Sequence, residues 1–132
     1  VVWDGRGSWE TINSSNVPIS QLKLGDFDGN GKTDILRVAG GLWQVVWGGR
    51  GSWETINSSN VPIAQLKLGD FDGNGKTDIL RVAGGLWQVV WDGRGSWETI
   101  NSSNVPIESL ILGDFNGDNE TDILSYVLTD IL

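Results

Sequence analysis

Val1-Val2-Trp3-Asp4-Gly5-Arg6-Gly7-Ser8-Trp9 returns from Val45 with Gly48 in place of Asp4, and returns unchanged from Val89. The spacing is 44 residues, and the length of 132 is three times 44. The copies 1–44 and 45–88 differ only at Asp4/Gly48 and Ser20/Ala64, while 89–132 follows the first copy through Ile107 and then drifts. Recent duplication and deliberate design both produce such near-identity. A period of this size means stacked supersecondary units, each unable to bury its own faces alone. Residues 1–132 are therefore read as a single repeat domain.

Each copy is organised around Gly25-Asp26-Phe27-Asp28-Gly29-Asn30-Gly31-Lys32-Thr33-Asp34-Ile35-Leu36, repeated at Gly69–Leu80 and altered at Gly113–Leu124. Side-chain oxygens recur at Asp26, Asp28 and Asn30, and Asp34 follows. A hard cation such as calcium takes six to eight oxygens at about 2.3–2.6 Å from a tightly wrapped loop. This loop offers three side chains from its first turn, the backbone carbonyl of Lys32 and a closing Asp34. It lacks the glutamate at the twelfth position of an EF-hand and runs into Ile-Leu-Arg-Val, a strand pattern. The plain alternative is an Asp/Asn/Gly turn held by its own side chains, without metal.

Four strands are expected per unit. Leu22 to Phe27 alternates apolar and polar residues, and Ile35 to Ala39 is the second strand. Gly40-Gly41 suits a tight hairpin that needs positive φ. Leu42 to Trp47 (twin Leu86 to Trp91) is the third strand, and Trp9 to Ile12, Trp53 to Ile56 and Trp97 to Ile100 are the copies of the fourth. Asn13-Ser14-Ser15-Asn16-Val17-Pro18 reads as a polar connector. No helical periodicity stands out. Four antiparallel strands every 44 residues describe a propeller blade. Val1 corresponds to Val45 and Leu132 to Gln44, so one third strand is expected to be shared between two chain ends. Three blades are too few for a ring of about 4–8. Closure by a homo-oligomer is expected, with six blades from two chains, because closed rings leave no strand edges.

The net charge of −8 argues against nucleic-acid or anionic-membrane partners. It fits a chain with cation sites to fill. The absence of cysteine removes disulfides and thiolate chemistry, and the absence of histidine removes the commonest general base. No apolar run approaches the roughly 20 residues of a membrane helix. Nor does a signal peptide open the sequence, as fits a mature secreted domain or a piece of a longer protein.

Gly-Asp-Phe-Asp-Gly-Asn-Gly-Lys-Thr-Asp-Ile-Leu, repeated at blade spacing, resembles the calcium-binding propeller repeats called VCBS or FG-GAP repeats. These occur in integrin α-subunit heads, bacterial surface proteins and a fungal lectin. The resemblance covers all three units and implies an all-β propeller whose acidic loops, joining the first two strands of each blade, hold calcium. It implies Asp26, Asp28, Asn30, Lys32 (by its carbonyl) and Asp34 as ligands in the first unit. The second set is Asp70, Asp72, Asn74, Lys76 and Asp78, and the third is Asp114, Asn116, Asp118, Glu120 and Asp122. The third unit exchanges an Asp and an Asn and keeps its acidic count. Asn119 replaces the turn glycine, a substitution that a left-handed turn tolerates. The Gly-Ala-Pro element of the integrin version is absent, so the VCBS branch fits better. The resemblance also implies an extracellular or cell-surface location.

The tryptophans add a second set of candidates. Trp43 and Trp47 share a strand face with Val45 and read as packing between blades. Trp9, Trp53 and Trp97 follow a turn beside Arg6, Arg50 and Arg94. Such pairs are ligand candidates for a sugar or an acidic group, against the plainer reading of core aromatics and solvated turn cations. Asn13-Ser14-Ser15 and its copies form glycosylation sequons, which otherwise serve as turns. The function that fits best is a non-catalytic calcium-binding scaffold or binding module, lectin-like or adhesive. A purely structural propeller is the alternative. A polysaccharide-acting enzyme fragment ranks last, because near-identical repeats lack the asymmetric acid–base cluster that catalysis needs.

Overall fold

A computed structural model describes residues 1–125. The first sheet contains β1 (Lys23–Gly25), β2 (Asp34–Ala39), β3 (Leu42–Val46) and β4 (Glu54–Ser58), hydrogen-bonded in that order. The second repeats it with β5 (Lys67–Gly69), β6 (Asp78–Ala83), β7 (Leu86–Val90) and β8 (Glu98–Ser102). The third contains β9 (Leu110–Gly113) and β10 (Asp122–Ser125). Every pairing is antiparallel.

The β2–β3 hairpin turns through Gly40 and Gly41 at φ 58° and 77°, the two successive positive values of the tightest hairpin. β3 stops at Val46, one residue earlier than the sequence suggests, because Trp47–Gly49 forms a 3-10 turn. Its central residue is left-handed in all three copies: Asp4 at φ 55°, Gly48 at 59° and Asp92 at 57°. The fourth strand is displaced from Trp53–Ile56 to Glu54–Ser58, taking in two residues of the expected polar connector. One residue of β4, Ile56, is bulged out between the Trp43–Asn57 and Gln44–Thr55 pairs. A bulge re-aims a side chain, and Ile56 Cδ1 reaches the next unit at Gly93.

The first copy of the fourth strand, expected at Trp9 to Ile12, is not a strand. Only Val1 and Glu10 exchange backbone hydrogen bonds there, at 2.6 and 2.7 Å. A strand needs a partner along its length, and only Val1 and Val2 precede the turn. The expectation of a third strand shared by two chain ends falls on residues 126–132, outside the described residues.

The core lies between sheets. Phe27, Leu36, Trp43 and Val45 of the first unit cluster with Leu66, Ile79 and Val90 of the second. Trp97 meets Trp43 edge-on with ring centroids 5.5 Å apart. Leu36, Trp43, Val45 and Ile79 are fully buried, and each such side chain contributes about 1.5–3 kcal/mol. Trp43 therefore packs between units as expected. Trp47 is half-buried, and its Nε1 donates to Glu54 at 2.6 Å.

Candidate metal centre

The acidic loop bridges β1 and β2, so the strand ends fix both of its feet. Asp26 leaves β1 and accepts the N–H groups of Gly29 and Asn30 on Oδ1 and that of Gly31 on Oδ2. Asp28 accepts from Asn30, and Asn30 accepts from Lys32 at 2.9 Å. Gly29 and Gly31 take φ 72° and 81°, which lets the chain wind tightly around these oxygens. Asp34 opens β2 and is fully buried. Its Oδ2 accepts the Phe27 N–H at 2.9 Å, and its Oδ1 accepts that of Gly48 at 2.8 Å. One carboxylate thus ties the loop to the turn that follows β3.

Carboxylate oxygens of Asp26, Asp28 and Asp34 lie within 4.8 Å of one another, as do those of Asp70, Asp72 and Asp78, and of Asp114, Asp118 and Asp122. Asn30, Asn74 and Asn116 belong to the same loops with their side-chain oxygens turned onto loop N–H groups. Lys32, Lys76 and Glu120 have exposed side chains and take part through the backbone, each donating its N–H to residue five of the loop. In the third loop Asn119 takes φ 67° and donates to Asp114 Oδ2 at 2.9 Å, so the asparagine does the work of the glycine.

Electrostatics separate the carboxylates. Desolvation pushes Asp26 up, but the N–H groups of Gly31, Gly29 and Asn30 with the Asp28 side chain outweigh it and hold Asp26 below the usual range. The Asn119 N–H, chief among several, holds Asp114 down. Burial pushes Asp34 up despite its two N–H donors, and the charges of Asp28 and Asp26 add to the shift. Asp78 is pushed up to about 6 by burial first, with Asp72 and Asp92 contributing. Asp72 is raised by burial and by Asp70. Like charges crowded around a buried carboxylate are costly unless a cation offsets them. An all-oxygen set of three carboxylates, an amide and a carbonyl has the chemistry of a calcium site and suits neither zinc nor copper.

The loops are also joined to one another, which the sequence reading missed. Asp26 N–H donates to Thr77 Oγ1 at 2.7 Å, and Thr77 N–H donates to the Asp26 carbonyl at 2.8 Å. Asp70 and Thr121 repeat the clamp at 2.8 and 2.7 Å. A Cβ on Gly25 or Gly69 would stand 2.9 or 2.8 Å from that threonine's methyl, so the approach requires glycine. The available signal was Thr121, kept in a third loop whose acidic residues had moved.

The tryptophan candidates separate. Trp9 is 85 % exposed, whereas Trp53 and Trp97 are half-buried. Arg6, Arg50 and Arg94 are exposed, and the cations that cover the rings are others: Arg37 lies 4.2 Å over Trp53 and Arg81 4.2 Å over Trp97. The sequon asparagines Asn13 and Asn57 donate to the carbonyls of Gly49 and Gly51, and of Gly93 and Gly95, in the following unit.

The model of a family described as FG-GAP-like repeat matches residues 26–81 and again residues 70–125. No curated protein matches the chain. No solved structure matches it.

Proposed function

The chain belongs to the FG-GAP-like repeat family, and from that premise we propose that it is a non-catalytic propeller-type scaffold whose acidic loops are calcium sites. The observation that carries this reading is the convergence of three carboxylates in each of three successive loops. The ligands are Asp26, Asp28, Asn30, the Lys32 carbonyl and Asp34, with their counterparts in the other two units. Bound calcium would supply the positive charge that the buried Asp34 and Asp78 otherwise lack. It would also lock the β1–β2 connection of each unit against the turn after β3.

A surface location outside the cell suits loops this exposed, because extracellular calcium modules work with dissociation constants of about 10⁻⁴–10⁻³ M. Among the described residues no helix is long and apolar enough to cross a membrane. Arg37 and Arg81 cover one face of Trp53 and Trp97, which favours a structural role for these rings over stacking on a sugar. The lectin-like role is therefore secondary to the scaffold role.

Thermal unfolding with calcium and with chelator tests the reading. Chelation is expected to lower the melting temperature clearly, and Asp26→Ala with Asp70→Ala to blunt the response. An unchanged melting curve on chelation would reduce the loops to turns. Binding on a glycan array would restore the lectin-like role.

A further inference from the structure

The first two acidic loops are one sequence in two surroundings. Gly25 to Leu36 and Gly69 to Leu80 agree at every position. Both wind around their first aspartate in the same way. Gly31 N–H donates to Asp26 Oδ2 at 2.9 Å, and Gly75 N–H donates to Asp70 Oδ2 at 2.8 Å. Whatever distinguishes the two as cation sites therefore comes from residues outside the loops. Two neighbouring positions carry such a difference.

The first position is the left-handed centre of the turn that follows β3 and β7. Gly48 holds it beside the first loop and Asp92 beside the second, at φ 59° and 57°. Each donates its N–H to the closing aspartate, Gly48 to Asp34 Oδ1 and Asp92 to Asp78 Oδ1, both at 2.8 Å. The two turns are thus equivalent in backbone, and Asp92 adds a side chain. Its Oδ1 accepts from Asn74 Nδ2 at 3.0 Å. This bond holds the Asn74 amide by its nitrogen while its oxygen accepts the Lys76 N–H at 2.9 Å. Asn30 accepts the Lys32 N–H at the same distance, but Gly48 has no side chain to offer its nitrogen.

The second position belongs to the following loop. Lys76 lies over the first loop, with Cγ and Cε 3.0 and 3.7 Å from where a Cβ on Gly29 would stand. Glu120 lies over the second loop, with Cγ and Oε1 2.9 and 3.6 Å from the same place on Gly73. Lys76 and Glu120 are equivalent in the repeat, so each loop is covered by a side chain of its successor. A chain ending in an ammonium covers the first loop, and one ending in a carboxylate covers the second. With Asp92 standing where the first loop has Gly48, the second loop sits among neighbours more negative by three unit charges.

Taking the loops as calcium sites, as under the function above, we propose that Asp92 and Glu120 set the affinity of the second loop, so that two loops of one sequence fill in order, the second before the first. Asp92 acts in two ways. Its charge attracts a divalent cation, and its bond to Asn74 holds a ligand amide in place before the cation arrives. Glu120 acts by charge alone, while Lys76 opposes a cation at the first loop. Asp92 is half-buried and the Glu120 and Lys76 side chains are exposed, so water and salt screen these effects. The second loop is then the one that stays filled as calcium falls, and the first is the one that empties.

Amide NMR of the whole chain, stripped by chelator and titrated with calcium chloride, tests this order. The Gly31 and Gly75 signals report the first and second loops. Gly75 is expected to reach its midpoint at a calcium concentration about tenfold below that of Gly31. High salt is expected to narrow the gap. Equal midpoints, or the first loop filling first, overturn the proposal and leave the calcium sites standing. No calcium-dependent change at either amide overturns both. Asp92→Asn with Glu120→Gln removes the two charges, keeps an acceptor for Asn74 and suits the left-handed turn. It is expected to raise the Gly75 midpoint severalfold and to leave that of Gly31 in place. Gly48→Asp is expected to lower the Gly31 midpoint alone. An unmoved Gly75 midpoint in the first variant, or an unmoved Gly31 midpoint in the second, overturns the proposal. Asp92→Gly with Glu120→Lys, which gives the second loop the neighbours of the first, replaces the double variant if that fails to fold.

Discussion

The second and third acidic loops have nearly the same backbone and different surroundings. Both wrap an aspartate with successive N–H groups, and in both a side-chain oxygen, of Asn74 or Asp118, accepts the N–H two residues further on. Yet Asp78 is fully buried between two N–H donors, whereas Asp122 is only half-buried with one among the described residues. Phe71 is half-buried and Phe115 exposed. The loop's own residues therefore set its winding, and the outer strands of the sheet set how dry its closing carboxylate is. Local sequence builds the ligand cage, while neighbouring strands tune its electrostatics.

Cation removal should weigh most on both loops. One site contributes about 2.7 kcal/mol at a hundredfold excess of ligand over Kd, and three sites act on one chain. Chelation is expected to cost several times RT, read as a fall in melting temperature. Calorimetric titration is expected to resolve a weaker third site, and three equal affinities would show that burial of the closing carboxylate does not matter. Next comes Asp78→Ala against Asp122→Ala in calcium-free denaturant unfolding. The first strands two N–H groups in a buried place and is expected to cost about 3 kcal/mol. The second, with one exposed-side donor lost, is expected to cost about 1 kcal/mol. Thr77→Val and Thr121→Val should lose about 1 kcal/mol each, equally, because their clamps have matching lengths. Unequal losses would move the difference between the loops from the outer strands to the clamp.

The buried Asp78 also makes stability depend on pH. Asp78 has a folded value near 6 against an ordinary 3.8, so the folded chain holds its proton more tightly than the unfolded chain. Without cation, its contribution to stability is present below about 4 and is lost as pH rises through about 6. A bound cation favours the charged form, so apparent affinity at this site should rise across the same window, with proton release seen by calorimetry in buffers of different ionisation enthalpy. The smallest expected effect is Gly48→Asp. Asp4 and Asp92 already tolerate the left-handed turn, so the change should cost under about 1 kcal/mol.

Much of this was legible in the residues. The acidic spacing located each loop, the Gly-Gly pair located the hairpin, and Asn119 was readable as a glycine substitute because its left-handed conformation is a local property. Strand ends were less legible. Trp47 looks like a strand residue until the left-handed position after it turns the chain. Trp9 to Ile12 matches Trp53 to Ile56 residue for residue, yet only the latter region has a full partner strand to pair with. Arg37 and Arg81 were not readable as the partners of Trp53 and Trp97, because cross-strand neighbours depend on register and bulge and not on adjacency along the chain.

The sequence alone determined the repeat length, the all-β class, the oxygen-rich loops and the family, since spacing and φ preferences act over a few residues. Only the tertiary structure decided which carboxylate is buried, which threonine clamps which loop and which aromatic remains uncovered. Those outcomes depend on contacts between units 44 or more residues apart. Near-identical copies cannot encode such differences in themselves: Phe27 and Phe115 diverge because their neighbours do.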